Sequence, residues 1–283
     1  MANRKRYSSK FNASTRQTAQ MLLLKPYLFR MLRVHIHGVS NLDDLEAPFI
    51  VTSNHSSHLD AALIFSSLPS RLSRFVATGA AADHFYDKWW KSAPMTLFFN
   101  GFPVDRGKPS KKNDKPGKPK KDHRGMSAAL LADGVPLLIF PEGTRSRDGA
   151  MGPFKPGAAA LCISRNVPCI PVALVGAYEA WPYRQKRWKP GRPDVHVVIG
   201  EPMYPSVGEI AHEFNERIRR KVLELHDTTA LAYGRKTLAE YARTIAIERA
   251  QVGDHTALNR DSARPDTVKK AKSRRRWWKR GKN

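Results

Sequence analysis

The sequence predicts an α/β fold, a mostly parallel sheet flanked by helices, and two observations carry that expectation. Strand-like and helix-like runs alternate between about residues 32 and 200, the order expected of a layered α/β protein. Two of these runs, Pro136–Phe140 and Cys169–Val175, are apolar throughout, which suits strands of such a sheet.

Taken in order, Val34–His37 is a short β-type run. Pro48–Ser53 is a second, ending at Asn54-His55. Leu59–Leu68 begins a helix, Phe75–Thr78 is β-like, Tyr86–Asn100 is largely helical and Phe102–Val104 is β-like again. A helix over Arg124–Asp133 is closed by Gly134. Pro136–Phe140 is the next strand and Pro156–Arg165 a helix of small residues. Cys169–Val175 and Val195–Ile199 complete the sheet. Beyond it, Ser206–Leu225 is amphipathic with Ser206 and Glu209 in capping-box spacing, and a second helix covers about Lys236–Arg249.

The 283 residues carry 49 Lys+Arg against 25 Asp+Glu, a net charge of +24. Twelve Phe and six Trp in discrete runs exclude disorder throughout, and two cysteines, Cys162 and Cys169, exclude a disulfide scaffold and fit a reducing compartment. No apolar stretch reaches the roughly 18–20 residues of a membrane span. These features leave a cytosol-facing globular protein drawn to something anionic, nucleic acid or a lipid surface.

Three segments, residues 1–42, 106–124 and 268–283, account for the whole excess of positive charge. Residues 108–122 hold Lys, Pro, Gly and Asp without an apolar side chain, so the loop 107–123 is expected to be disordered. In the tail, Trp277 and Trp278 lie among Lys and Arg, which suits the headgroup layer of an anionic membrane and also stacking on nucleic acid. Gln17–Val34 mixes apolar residues with Lys25, Arg30 and Arg33 and reads either as a surface-lying amphipathic helix interrupted by Pro26 or as an ordinary helix packed on the core. It has no cleavage site of a secretory signal. The expected organisation is a basic membrane-surface segment over 1–32, an α/β domain over 33–205, helices over 206–252 and a disordered basic tail over 253–283.

Chemistry concentrates at strand ends. Asn54-His55-Ser56-Ser57-His58-Leu59-Asp60 follows an apolar strand, where α/β proteins commonly carry reactive groups. A His and an Asp five apart across a strand-to-helix turn can meet, the Asp fixing one ring nitrogen and leaving the other as a general base. The attacking group would then be a substrate hydroxyl. His55, His58 and Asp60 as metal ligands, or a purely structural His–Asp pair, are the alternatives. Phe140-Pro141-Glu142-Gly143-Thr144-Arg145-Ser146 closes a second apolar strand with a cation, hydroxyls and a glycine, a set suited to a phosphate. Gly101-Phe102-Pro103-Val104-Asp105-Arg106 ends a third strand in another arginine, and Val167-Pro168-Cys169-Ile170-Pro171-Val172 is a wall by composition.

Together, in this order, the four blocks resemble those of the PlsC-like glycerolipid acyltransferases, whose best-known members are lysophosphatidate (1-acyl-glycerol-3-phosphate) acyltransferases. The matches are Asn54-His55-x-Ser57-x-x-Asp60, Gly101-Phe102-x-Val104-x-Arg106, Glu142-Gly143-Thr144-Arg145-Ser146 and Val167-Pro168-x-Ile170-Pro171-Val172, with Val34–Val39 as lead-in strand. The resemblance implies His55 as base and Asp60 as its orienting partner. It implies that Arg106, Glu142 and Arg145, with Gly143, Thr144 and Ser146 in the same loop, hold the phosphate and glycerol end of the acceptor. It further implies an acyl-CoA or acyl carrier protein thioester as donor, no cofactor, no metal and no acyl-enzyme.

Both cysteines are then buried packing residues, and backbone amides of the His55 turn are the natural oxyanion donors. The partners expected are the lysolipid, the donor and an anionic membrane surface, with no nucleic acid, at the cytoplasmic face and without a spanning helix. Another lysophospholipid or a glycolipid is the alternative acceptor, and a catalytically inactive nucleic-acid-binding protein the alternative of a different class. The lysine-rich loop is longer than the family needs, and the chain beyond about Val207 lies outside the resemblance.

Overall fold

The computed structural model describes residues 4–81, 89–104, 125–183, 185–247 and 250. The loop 107–123, Arg106 and the tail 253–283 lie outside these described residues. Among the described residues seven strands, β1 (Arg33–His37), β2 (Ile50–Ser53), β3 (Ala77–Ala81), β4 (Phe102–Val104), β5 (Leu137–Ile139), β6 (Cys169–Val175) and β7 (Asp194–Ile199), form one sheet in the order β1-β7-β6-β2-β5-β3-β4. Every pairing is parallel except β6 with β7, which runs antiparallel with Val172 opposite Ile199. The α/β expectation holds, with a single reversal that turns β1 and β7 against the other five strands.

Successive strand residues point to opposite faces, and the core divides accordingly. Val51, Leu138, Ile170, Val172, Leu174 and Val197 pack on one face against Leu63 and Ile64 of the helix Asp60–Ser67 and Leu28 and Met31 of the helix Lys25–Met31. Ile50, Leu137, Cys169 and Ala173 face the other side. There they meet Leu130 of the helix Met126–Ala132, Cys162 of the helix Gly157–Arg165, and Phe214, Ile218 and Val222 of the helix Ala211–Ala232. The last three recur every four residues, one face of a helix. Both cysteines are buried, and the Cys162 thiol is pushed far up by its hydrogen bond with Cys169 and by burial, which holds it protonated and unreactive.

Two helical boundaries differ from expectation. The long helix begins at Ala211 rather than Ser206 and continues to Ala232. The Ser206–Glu209 bond is present, the Ser206 N–H donating to Glu209 Oε2 at 2.9 Å, but it closes a turn instead of capping the helix. Gly208 in that turn has φ +77° and interrupts helical continuity. A compact unit ends at Ala242, and the following unit, from Arg243, is helical over its described residues 243–247.

At the N-terminus the helices Lys10–Ala19 and Lys25–Met31 are joined by a π-helical turn over Gln20–Leu24, where the Lys25 N–H reaches back to the Gln20 carbonyl. That widened turn accommodates Pro26, which has no N–H to give. The buried side of this arm is partly polar. Arg16 is buried, donates to Asn100 Oδ1 at 2.7 Å and to the Arg74 carbonyl, and burial lowers its pKa to about 10. Gln20 donates to the Phe98 carbonyl at 2.6 Å. Phe11, Met21, Leu22, Leu23 and Tyr27 are exposed. The arm thus packs on the core and also presents an apolar outer side. Among the described residues no helix is long and apolar enough to cross a membrane.

At the β1–β7 edge three imidazoles stack. His196 lies 4.7 Å from His35 and 5.5 Å from His37 between ring centroids, with Tyr233 at 4.1 Å. Burial, then repulsion from His35 and His37, lowers the His196 pKa to about 4. His196 is therefore neutral in the fold and must gain a proton to match the unfolded chain, so stability is present above about pH 6.5 and falls as the pH drops toward 4. The slope contributed is at most ~1.4 kcal/mol per pH unit. Urea midpoints at pH 7 and pH 5 should differ less in His196→Gln than in the parent protein.

Candidate active site

β2 and β5 are adjacent and parallel, with Thr52 opposite Ile139. Their carboxyl ends therefore deliver the Asn54–Asp60 turn and the Phe140–Ser146 loop to the same edge of the sheet. Asn54 fixes the first of these. Its side-chain amide donates to the Leu174 carbonyl at 3.0 Å and accepts from the Leu174 N–H at 2.8 Å, extending β2–β6 pairing one residue past the strand.

His55 and Asp60 meet as expected. The Nδ1 of His55 lies 2.7 Å from Asp60 Oδ2, and Asp60 is completely buried. The same oxygen accepts the N–H groups of Ser56 at 2.7 Å and Ser57 at 2.8 Å. An oxygen with three donors is the accepting oxygen of a carboxylate, so Nδ1 carries the proton and Nε2 offers its lone pair. The ring stacks on Phe140 at 4.0 Å and 17°, which fixes its plane, and the side chain keeps 21% exposure, enough to be reached.

The second loop braces the first. Glu142 accepts the His55 N–H at 2.7 Å on Oε1 and the Gly152 N–H at 2.8 Å on Oε2. The Ser146 N–H donates to the His55 carbonyl at 2.7 Å. Burial raises the Glu142 pKa to about 7, opposed by these two backbone donors. Glu142→Gln should retain only one acceptor and turn an amide N–H against a backbone N–H. The loss expected is about 1.5–3 kcal/mol of stability, measurable as a lower denaturation midpoint, together with a lower kcat as the His55 turn loosens.

Ser146 makes a local turn, its hydroxyl donating to Asp148 at 3.0 Å and accepting from the Gly149 N–H at 3.0 Å. Glu142 and Ser146 therefore hold the two loops together. Gly143 and Thr144 are exposed on the rim. Gly143 has φ +71°, which strains any other side chain, and a β-carbon there would lie 2.9 Å from Lys155 Nζ, so the lysine tip would have to move. Lys155 thus brings a further cation to this rim. Its spacing in sequence gave no indication of that.

His58 has a partner the sequence did not disclose. Arg145 donates to His58 Nδ1 and lies 4.8 Å over the Tyr183 ring, while His58 Nε2 sits 3.2 Å from the Tyr183 carbonyl. Burial and the Arg145 charge lower the His58 pKa. A neutral ring with Nε2 protonated satisfies both contacts, and it orients the guanidinium. Both nitrogens are engaged, so the arrangement is not that of a His55–His58–Asp60 metal centre. The backbone N–H groups of His55, Ser56 and Ser57 are likewise taken by Glu142 and Asp60, which corrects the expectation that they serve as oxyanion donors. Arg106, at the end of the β4 block, lies outside the described residues.

The chain matches the family model described as Acyltransferase over residues 33–175. It is 28% identical over 220 residues to 1-acyl-sn-glycerol-3-phosphate acyltransferase BAT2, chloroplastic, of Brassica napus, covering 77% of this chain and 57% of that protein. It is 26% identical over 204 residues to the Homo sapiens 1-acyl-sn-glycerol-3-phosphate acyltransferase alpha, covering 72% of this chain and 66% of that protein. The matches thus span roughly six-tenths of these relatives' length. The crystal structure of the 1-acyl-sn-glycerophosphate acyltransferase PlsC from Thermotoga maritima superimposes with a TM-score of 0.58 at 23% identity, over 78% of this chain and 80% of that one, and shares its fold. The family model covers half of the chain, ends at the last residue of β6 and includes both loops of the site: the chain belongs to the acyltransferase family.

Proposed function

We propose that this protein transfers a fatty acyl chain from an acyl thioester to the free hydroxyl of 1-acyl-glycerol-3-phosphate, giving phosphatidic acid. The observation that carries the proposal is the pairing, at one sheet edge, of an imidazole held by a buried carboxylate with a loop whose arginine is oriented by His58 and Tyr183. The acceptor is an alcohol with a pKa far above 7 and needs a base as it attacks. His55 Nε2 takes the hydroxyl proton and the oxygen adds to the thioester carbonyl. The tetrahedral intermediate then collapses with loss of the thiolate, which receives the proton from His55. Asp60 stabilises the imidazolium between these steps. No acyl-enzyme forms, and Cys162, held protonated and buried, takes no part.

Arg145, Lys155 and Arg106 are the cations for the acceptor phosphate, with Gly143 and Thr144 on the rim. Either acyl-CoA or acyl carrier protein serves as donor, and no cofactor or metal is required. The apolar outer side of the N-terminal arm and the three basic segments favour peripheral binding to an anionic membrane surface at its cytoplasmic face rather than to nucleic acid. Removing residues 269–283 should weaken binding to anionic vesicles, most strongly at low salt. Unchanged binding would show that the tail does not dock.

An acceptor panel with purified protein decides the substrate. Lysophosphatidate should be acylated far faster than lysophosphatidylcholine or a lyso-glycolipid with either donor. Equal rates would give the alternative acceptors the site.

A further inference from the structure

The loop between β6 and β7 carries cations that acids elsewhere in the chain offset. Its first residues are part of the site. The Ser57 hydroxyl donates to the Trp181 carbonyl at 2.9 Å, Ser57 bridges Pro182, and Tyr183 lies beneath Arg145. Its later residues, 185–192, carry Lys186, Arg187, Lys189 and Arg192 with no acid, and all are exposed. Trp188 stands among them at 37% exposure, edge-on to Trp181 at 5.7 Å on one side and to Tyr27 of the N-terminal arm at 6.3 Å on the other. Arg192 donates to the Phe29 carbonyl at 2.9 Å.

Rings therefore run without a break from Tyr27 through Trp188 and Trp181 to His58, the residue that holds Arg145. Two open cavities flank this line. One of about 690 Å³ is lined by Lys186, Arg187, Trp188 and Lys189, together with Glu179, whose carboxylate accepts the Tyr241 hydroxyl. The other, of about 640 Å³, is lined by Pro26, Arg30 and Arg192.

We infer that residues 185–192 bind the phosphates of lipid headgroups and, with the N-terminal arm, form one surface that seats the mouth of the active site on an anionic bilayer. Three features select a lipid surface over a soluble polyanion. The cations adjoin the arm that exposes Leu22, Leu23 and Tyr27, and apolar and basic groups side by side match the acyl and headgroup layers of a bilayer. Trp188 and Tyr27 are the residue types that settle at that boundary. The cavities are open, as suits many headgroups rather than one enclosed ligand. The inference rests on the lipid acceptor proposed above and adds where the bilayer meets the site.

The test uses the full chain and vesicles of phosphatidylglycerol and phosphatidylcholine. The triple variant Lys186→Gln/Arg187→Gln/Lys189→Gln should bind these vesicles at least ~10-fold more weakly at low salt, with a shallower salt dependence. Trp188→Ala should show a smaller loss that salt does not alter. Transfer to vesicle-borne lysophosphatidate should fall by a larger factor than transfer to a short-chain, water-soluble lysophosphatidate. Vesicle binding by the triple variant within twofold of the parent would overturn the inference. A raised KM for acyl-CoA alongside unchanged vesicle binding would overturn it as well and assign these cations to the donor. A parent protein that acylates no lysophosphatidate would refute the proposed reaction, while the vesicle comparison would still decide this one.

Discussion

Replacing His55 by alanine is expected to lower kcat/KM for acyl transfer by about 10²–10⁴-fold, the usual contribution of a positioned general base, while leaving the fold intact. The first part follows from the geometry of the ring. Nδ1 is tied to a fully buried carboxylate at 2.7 Å, Phe140 fixes the plane at 4.0 Å, and the side chain keeps 21% exposure, which leaves Nε2 for the hydroxyl proton in the proposed reaction. The second part follows from which atoms hold the turn. His55 is bound to the neighbouring loop through its backbone N–H, to Glu142, and through its carbonyl, to Ser146, and both survive truncation of the side chain. Circular dichroism and the denaturation midpoint should therefore be close to the parent's. Full activity in the variant would remove His55 from the reaction.

Asp60 is expected to separate charge from scaffolding. Among the described residues three donors converge on Oδ2, while Oδ1 has no hydrogen-bond partner. In Asp60→Asn the amide oxygen can take the Oδ2 position and keep all three donors, placing its NH₂ where Oδ1 now sits. That protein should fold, yet it has no charge to stabilise the imidazolium and should lose about 10²–10⁴ in kcat. In Asp60→Ala the N–H groups of Ser56 and Ser57 and the His55 Nδ1–H all lose their acceptor inside the protein. Each unsatisfied buried group costs about 1–3 kcal/mol, so the alanine variant should be clearly destabilised as well as inactive. Thermal unfolding of the two variants side by side distinguishes these effects. Equal midpoints would show that Asp60 does not brace the turn.

The parts of the site legible in sequence are those made by residues close along the chain. His55 and Asp60 are five apart across a turn whose strand and helix both announce themselves by apolar content, so their meeting could be read directly. The bracing by Glu142 could not, because it arises from the adjacency of β2 and β5, which are separated by β3 and β4 in the chain. His58 escaped for a similar reason: its partners Arg145 and Tyr183 come from two other loops.

The fold shows the same division. Alternating strand and helix runs gave the layers, whereas the antiparallel placement of β7 against β6 depends on the β6–β7 connection rather than on any strand's own composition. At Ser206 a local rule was satisfied in its hydrogen bond and still misplaced the helix start, because Gly208 two residues later takes a left-handed conformation. Charge in long runs stands out in composition, whereas the cations at 185–192 gain meaning only from their placement beside the site and the N-terminal arm.

The most direct test of the central claim is the initial rate of phosphatidic acid formation from 1-acyl-glycerol-3-phosphate by the purified protein and by its His55→Ala variant. The assay is run with acyl-CoA and with acyl carrier protein thioester on anionic vesicles. The expected result is rapid formation by the parent from at least one donor and a rate at or near background for the variant from both. Comparable rates for the two proteins, or no product from the parent with either donor, would contradict it.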